Sequence, residues 1–129
     1  MSQQTSFTSF TLPCGLHLKN RLVKAAMEEN LADALHMPTT QLIRLYRTWA
    51  EGGVGMIITG NVMVDHLAKT GPAGVALEQH TDLTLFKDWA VAAKQNDTKV
   101  LMQINHPGRQ VMKRMGGKSL SPSDIAIDL

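Results

Sequence analysis

The chain alternates short apolar runs with amphipathic stretches. Ser6 to Leu12 reads polar-apolar with Phe7, Phe10 and Leu12, and Leu16-His17-Leu18-Lys19 alternates again after Pro13-Cys14-Gly15. Two alternating runs parted by Pro and Gly predict a small β-hairpin. Arg21 to Met27 (RLVKAAM) is short and mostly apolar, which fits a buried strand. Thr39 then suits a helix N-cap, and Leu42, Ile43, Leu45, Tyr46, Trp49 and Ala50 recur at helical spacing up to Gly52-Gly53. Val54 to Val64 is almost continuously apolar, the pattern of a strand covered on both faces. His66 to Ala76 reads as loop. Leu83, Phe86, Trp89, Ala90 and Ala93 form the stripe of a second helix over Thr81–Asn96, capped by Thr81 or Asp82. Thr98 to Ile104 predicts a third strand, and Asn105 to Asp128 a long polar loop. The order hairpin, β, α, β, α, β implies α/β units on a parallel sheet, either doubly wound or the opening of a barrel.

Composition removes several function classes. Of 129 residues, 13 are Lys or Arg and 11 are Asp or Glu, a net charge of +2. That balance gives no footprint for nucleic acid. No run of about 18 apolar residues predicts a membrane span. Met1 to Thr11 lacks the basic and apolar regions of a secretory signal. One cysteine, Cys14, excludes an internal disulfide framework and a Cys-rich zinc site, and its turn position reads as structural. The expected compartment is a reducing cytoplasm. A complete (β/α)8 barrel needs about 250 residues, so this length holds only part of one.

Sites in such sheets lie at the carboxyl ends of strands. Ala25 and Ala26, near the end of the first strand, either admit a flat ligand close to the backbone or pack against a helix. Gln103 stands among Val100, Leu101, Met102 and Ile104. Its amide needs partners: the edge of a ligand carrying donors and acceptors, or a neighbouring backbone. His106 and Arg109 follow the third strand and can polarise a carbonyl or hold an anion, or Arg109 can brace the loop. Lys24 is a charge in an apolar strand, either an active-site lysine or one whose stem reaches solvent. Met27, Met56, Met63 and Met102 read as core filler. His17, His36, His66 and His80 lack metal-ligand spacing, so no metal is expected. EGGVGMIITG (Glu51–Gly60) ends a helix and opens a strand, the reverse of a dinucleotide-binding loop.

Four segments together resemble the Old Yellow Enzyme family of flavin-dependent ene-reductases, in the NADH:flavin oxidoreductase branch that includes 2,4-dienoyl-CoA reductase. They are LKNRLVKAAM (Leu18–Met27), LYRTWAEGGVGMIITGNVMV (Leu45–Val64), VLMQINHPGRQ (Val100–Gln110) and LSPSDIAI (Leu120–Ile127). The resemblance implies one unit, residues 1–129, forming the N-terminal part of an FMN-binding (β/α)8 TIM barrel. Residues 1–19 would form the hairpin cap, and residues 20–129 the first three βα strands and the following loop. It implies non-covalent FMN, NADH or NADPH as reductant, and hydride transfer from flavin N5 to the β-carbon of an unsaturated carbonyl compound. Ala26, Met27 and Glu28 would flank the flavin, Gly60 would sit beside the ring, and Gln103 would bond the pyrimidine edge. His106 and Arg109 would lead to the substrate-side loop.

Two positions depart from the pattern. Glu28 stands where a small Thr or Cys is usual, so it either points away from the ring or shifts the flavin potential. Asn30 replaces an aromatic residue found in some members. The catalytic residues of the later strands and the phosphate-binding loops lie outside these 129 residues, so the isolated chain is expected to be inactive. The other reading is a non-catalytic α/β module that completes its sheet by self-association or with a partner chain. A third, a small metal hydrolase on a similar sheet, would require bound metal.

Overall fold

A computed structural model describes residues 5–111, 114 and 117–125. Met1–Gln4, and Ala126 and Ile127 of the fourth family segment, lie outside the described residues. Thr39 caps the first helix, α1 (Thr40–Glu51), by accepting the Leu42 amide on its hydroxyl. The helix ends at Gly52, and Gly53 turns the chain out with φ 97°, a conformation glycine adopts without strain.

The N-terminal hairpin pairs β1 (Phe10–Thr11) with β2 (His17–Leu18), antiparallel. Thr5–Phe7 is a 3-10 turn, so the hairpin is shorter than the alternation predicts. The hairpin exit is tied to the amino-terminal ends of the later strands. Asn20 Nδ2 donates to the Gly53 carbonyl at 2.7 Å, and Lys19 Nζ bonds the Asn96 carbonyl.

The main sheet is parallel: β3 (Val23–Lys24), β4 (Met56–Met63), β5 (Val75–Ala76) and β6 (Lys99–Asn105). Strand β6 follows β4 along one edge from Met56 to Met63. The other edge is shared: β3 pairs at Met56 and Ile57, and β5 at Val62 and Met63. This sharing shortens β3. After Lys24 the chain leaves the ladder, so the strand expected over Arg21–Met27 has only two paired residues. Strand β5 lies in a segment read as loop, because a two-residue pairing leaves no periodicity to read.

The second helix, α2 (Thr84–Ala93), is shorter than Thr81–Asn96. Asp82 accepts the Thr84 amide at 2.9 Å, and Asn96, at φ 54°, takes the chain out of helix. Both helices pack on one face of the sheet. Leu42, Tyr46 and Ala50 from α1, Ile57 and Val62 from β4, and Phe86, Trp89 and Ala93 from α2 form the core. The Tyr46 ring stands edge-on to Trp49 and Trp89, each at 5.0 Å, within the favoured range for aromatic pairs.

Strand β6 is differently placed. Val100 packs against the core, but Met102 and Ile104, on the same face by alternation, are exposed, Ile104 at 67%. Met56 and Met63 are core filler, as expected; Met27 and Met102 are exposed and are not. Cys14 is exposed in the hairpin turn.

Candidate functional site

The carboxyl end of β4 is built around a bulge. Ile58 pairs Leu101, but the next pair is Asn61 with Gln103, so β4 spends one extra residue at Thr59-Gly60. A bulge leaves ladder groups unpaired, and each needs another partner. The Gln103 amide donates to the Thr59 hydroxyl at 2.9 Å, and that hydroxyl donates to the Gly60 carbonyl. The Gly60 amide donates to the Tyr46 hydroxyl at 2.9 Å. The extra residue also sets Asn61, rather than Gly60, beside Gln103.

The Tyr46 hydroxyl itself donates a hydrogen bond to Glu29 Oε1 at 2.9 Å. Burial pushes the Tyr46 hydroxyl far above the ordinary phenol range, against the lowering effect of the Gly60 amide, and Glu29 adds to the rise. The phenol is therefore a permanent donor. Glu29 also pairs with Lys24 at 2.9 Å, both side chains being about nine-tenths buried. Lys24 Nζ reaches the Ile58 carbonyl and sits 4.4 Å over the Trp49 ring. The reading of Lys24 as a stem that reaches solvent does not hold: it is a buried partner of Glu29.

This network explains the glycine at 60. A Cβ there would overlap the Met27 carbonyl oxygen and the Glu29 carboxylate. The segment that follows β3 thus touches β4 backbone to backbone, and Gly60 is the position that allows it. Met27 itself is 54% exposed, while Ala25 is exposed and Ala26 half-buried. The option that these alanines pack against a helix does not describe Ala25.

Glu28 does not stand free at the strand end. Its Oε1 accepts the Thr70 hydroxyl at 2.6 Å and lies close over Gly71. Asn30, at φ 53°, accepts the Ala73 amide on the same loop. The crevice bounded by Glu28, Asn30, Asn61 and Gly74 is closed to about 10 Å³, room for no more than one water. Gln103 Nε2 is bonded to Asn61 Oδ1, and among the described residues its Oε1 accepts no hydrogen bond. Asn61 and Thr70, with Tyr46 and Glu29, are the contributors that sequence reasoning missed. Asn61 was visible as one of two polar residues in an apolar strand; Thr70 carried no signal.

His106 and Arg109 lie just past β6, both exposed. The His106 ring accepts the Gly108 amide at 3.0 Å, and Arg109 donates to the Ile125 carbonyl at 3.4 Å, a loop-bracing contact. They are not joined to the Gln103 group by hydrogen bonds among the described residues. A separate cluster was also unforeseen: ligand atoms of Asp65, His66 and Glu78 lie within 4.8 Å of one another, exposed or half-buried. His66 Nδ1 and Glu78 Oε1 already bond each other at 3.0 Å. Among the described residues no helix is long and apolar enough to cross a membrane.

A family profile, that of the NADH:flavin oxidoreductase / NADH oxidase family, matches residues 7–128. The chain is 41% identical over 128 residues to the NADH-dependent flavin oxidoreductase iliE of Neonectria sp. (strain DH2), covering 92% of this chain and 17% of that protein. It is 36% identical over 138 residues to iliE of Hypocrea jecorina (strain QM6a), covering all of this chain and 34% of that protein. The chain thus spans about a third or less of these relatives. Its fold matches the structure of the old yellow enzyme from Trypanosoma cruzi with a TM-score of 0.83 at 19% identity. That match covers 96% of this chain and 36% of the other.

Proposed function

The chain belongs to the NADH:flavin oxidoreductase / NADH oxidase family, and from that premise we propose that it forms the opening of an FMN-dependent oxidoreductase barrel. One wall of the cofactor site would lie at the carboxyl ends of β3, β4 and β6. The observation that carries this reading is Gln103. One N–H of its amide is committed to Asn61, and among the described residues its carbonyl oxygen is left over at a strand end, beside a bulge.

The residues present fit an isoalloxazine. Met27 offers an exposed apolar side chain against a flat ring, with Ala26 adding little bulk beside it. Gly60 lets the Met27 backbone close on β4, and the Tyr46–Glu29–Lys24 network holds that contact rigid. Glu28 is drawn onto Thr70, which favours its pointing away from the ring over a shifted potential. Bound FMN would supply hydride transfer at N5 to an activated C=C bond of an unsaturated carbonyl substrate, after reduction by NADH or NADPH. The chain's own part is to bind and orient one side of that group. The phosphate and the substrate carbonyl would be held by residues outside this chain, so the chain alone is catalytically inactive in this reading, and its compartment is the cytoplasm.

The test is to isolate the native polypeptide from its source cells with an antibody to this segment and record its intact mass and visible spectrum. A chain several times longer, carrying stoichiometric FMN, is expected. A native chain ending at Leu129 without flavin would contradict the reading.

Exposure along β6 favours a second arrangement in which another chain completes the sheet. Leu101, Met102 and Ile104 are all exposed, and among the described residues the outer edge of β6 pairs with no strand. Light-scattering mass of the isolated chain decides this: a dimer supports completion by association, and a folded monomer counts against it.

A further inference from the structure

A single line of hydrogen bonds crosses the carboxyl ends of the strands from Glu28 to Gln103. The Thr70 hydroxyl donates to Glu28 Oε1 at 2.6 Å, Asn61 Nδ2 donates to Thr70 Oγ1 at 3.2 Å, and Gln103 Nε2 donates to Asn61 Oδ1. The direction of every bond follows from its first member. An ionised carboxylate only accepts, so Thr70 must give it the one proton the hydroxyl has. The Thr70 oxygen can then only accept, and Asn61 must turn its NH2 toward it. That leaves Asn61 Oδ1 facing β6, and Gln103 must meet it with its own NH2. Among the described residues, the Gln103 carbonyl oxygen and its second N–H are the free end of the line.

We propose that Glu28 sets the polarity of this line and so fixes which way the Gln103 amide is turned, with its NH2 on Asn61 and its carbonyl oxygen set for a ligand at the strand ends. The ligand edge selected would be one that offers an N–H to that oxygen, such as the imide of an isoalloxazine, with the second Gln103 N–H left for a neighbouring acceptor. The inference rests on the flavin reading of the cleft for the ligand, but not for the polarity. The bulge at Thr59-Gly60 is what makes the line possible, because it brings Asn61 into register with Gln103. Glu28 would then be a positioning residue, acting through Thr70 and Asn61. A glutamine at 28 can accept or donate, and a valine at 70 can do neither; in both cases the two amides are free to turn over.

The test uses the 15N-labelled chain and the side-chain NH2 signals of Asn61 and Gln103, compared among wild type, Glu28→Gln, Thr70→Val and Thr70→Ser. The Gln103 signals are expected to move in the first two variants and to return in Thr70→Ser, with the backbone spectrum of both helices unchanged. Glu28 is exposed, so Glu28→Gln keeps the test open should Thr70→Val fail to fold. Unmoved Gln103 signals in a folded Glu28→Gln chain would overturn the proposal. FMN titrated into the same samples separates the two claims. Moved Gln103 signals without any FMN binding sustain the polarity and sink the flavin reading. An FMN affinity at least tenfold weaker in Glu28→Gln than in wild type supports both. FMN bound equally by all four chains, with unmoved Gln103 signals, overturns the polarity alone.

Discussion

The Gly60 amide donates to the Tyr46 hydroxyl at 2.9 Å, so a side chain from the middle of α1 occupies the hydrogen bond that a bulge in β4 has freed. The same hydroxyl donates to Glu29. Tyr46→Phe keeps the ring packing and removes both bonds. It leaves a buried amide unpaired, which costs about 1–3 kcal/mol. Urea unfolding should show that loss, and amide exchange should show Gly60 opening faster than its neighbours. Stability equal to wild type would mean that water reaches the amide.

Lys24 and Glu29 form the buried ion pair of the site. Removing one partner leaves the other charge uncompensated, at a cost of about 3–5 kcal/mol, whereas replacing both with apolar residues is often close to neutral. Lys24→Met should therefore destabilise strongly, and adding Glu29→Leu should recover a good part of the loss. A double-mutant cycle in urea checks this; a double variant less stable than Lys24→Met would contradict it.

Gly60→Ala puts a methyl group against the Met27 carbonyl and the Glu29 carboxylate. Neither neighbour is a loose chain end, so the strand ends must part. Overpacking of this kind costs about 1–3 kcal/mol. The change should also shift the backbone signals of Met27 and Glu29 more than those of the hairpin.

Much of this fold was legible because its elements declare themselves. The Thr39 cap, the Gly52-Gly53 stop and the near-continuous apolarity of β4 each have a local cause. The parts that were not legible depend on contacts between distant segments. Strand β3 stops early because β5 takes over the same edge of β4, and no local pattern encodes that sharing. The glycine at 60 could be read as lying at a strand end, but not as lying under the Met27 carbonyl. The need of Gln103 for partners was visible from its apolar neighbours. That the partner is Asn61 follows from a one-residue bulge, which the alternation of β4 hides because nearly every position is apolar. The burial of Lys24 was not legible, since its partner Glu29 sits in a segment that reads only as polar.

Glu78 is held below the ordinary carboxylate value of 4.5 by its hydrogen bond to the His66 ring and, next, by the His66 backbone amide. Its folded value is depressed, so the stability it contributes is present above about pH 4.5 and is lost as pH falls through the lower folded value. His66→Ala should move the Glu78 midpoint up, toward the ordinary value, and the backbone amide alone should keep it from arriving fully. Carbon-detected titration of the Glu78 carboxyl checks this; an unchanged midpoint would mean that the ring contributes nothing.

The central claim is that the carboxyl ends of β3, β4 and β6 form one wall of an FMN site. The most direct measurement is an FMN titration of the 15N-labelled chain, carried to millimolar concentration because the rest of the site lies elsewhere. The account predicts weak binding, with shifts concentrated at Met27, Gly60 and the Gln103 side chain, and none at the hairpin or α2. Shifts spread over the exposed face of β6 without those three, or no shifts at millimolar FMN, would contradict it.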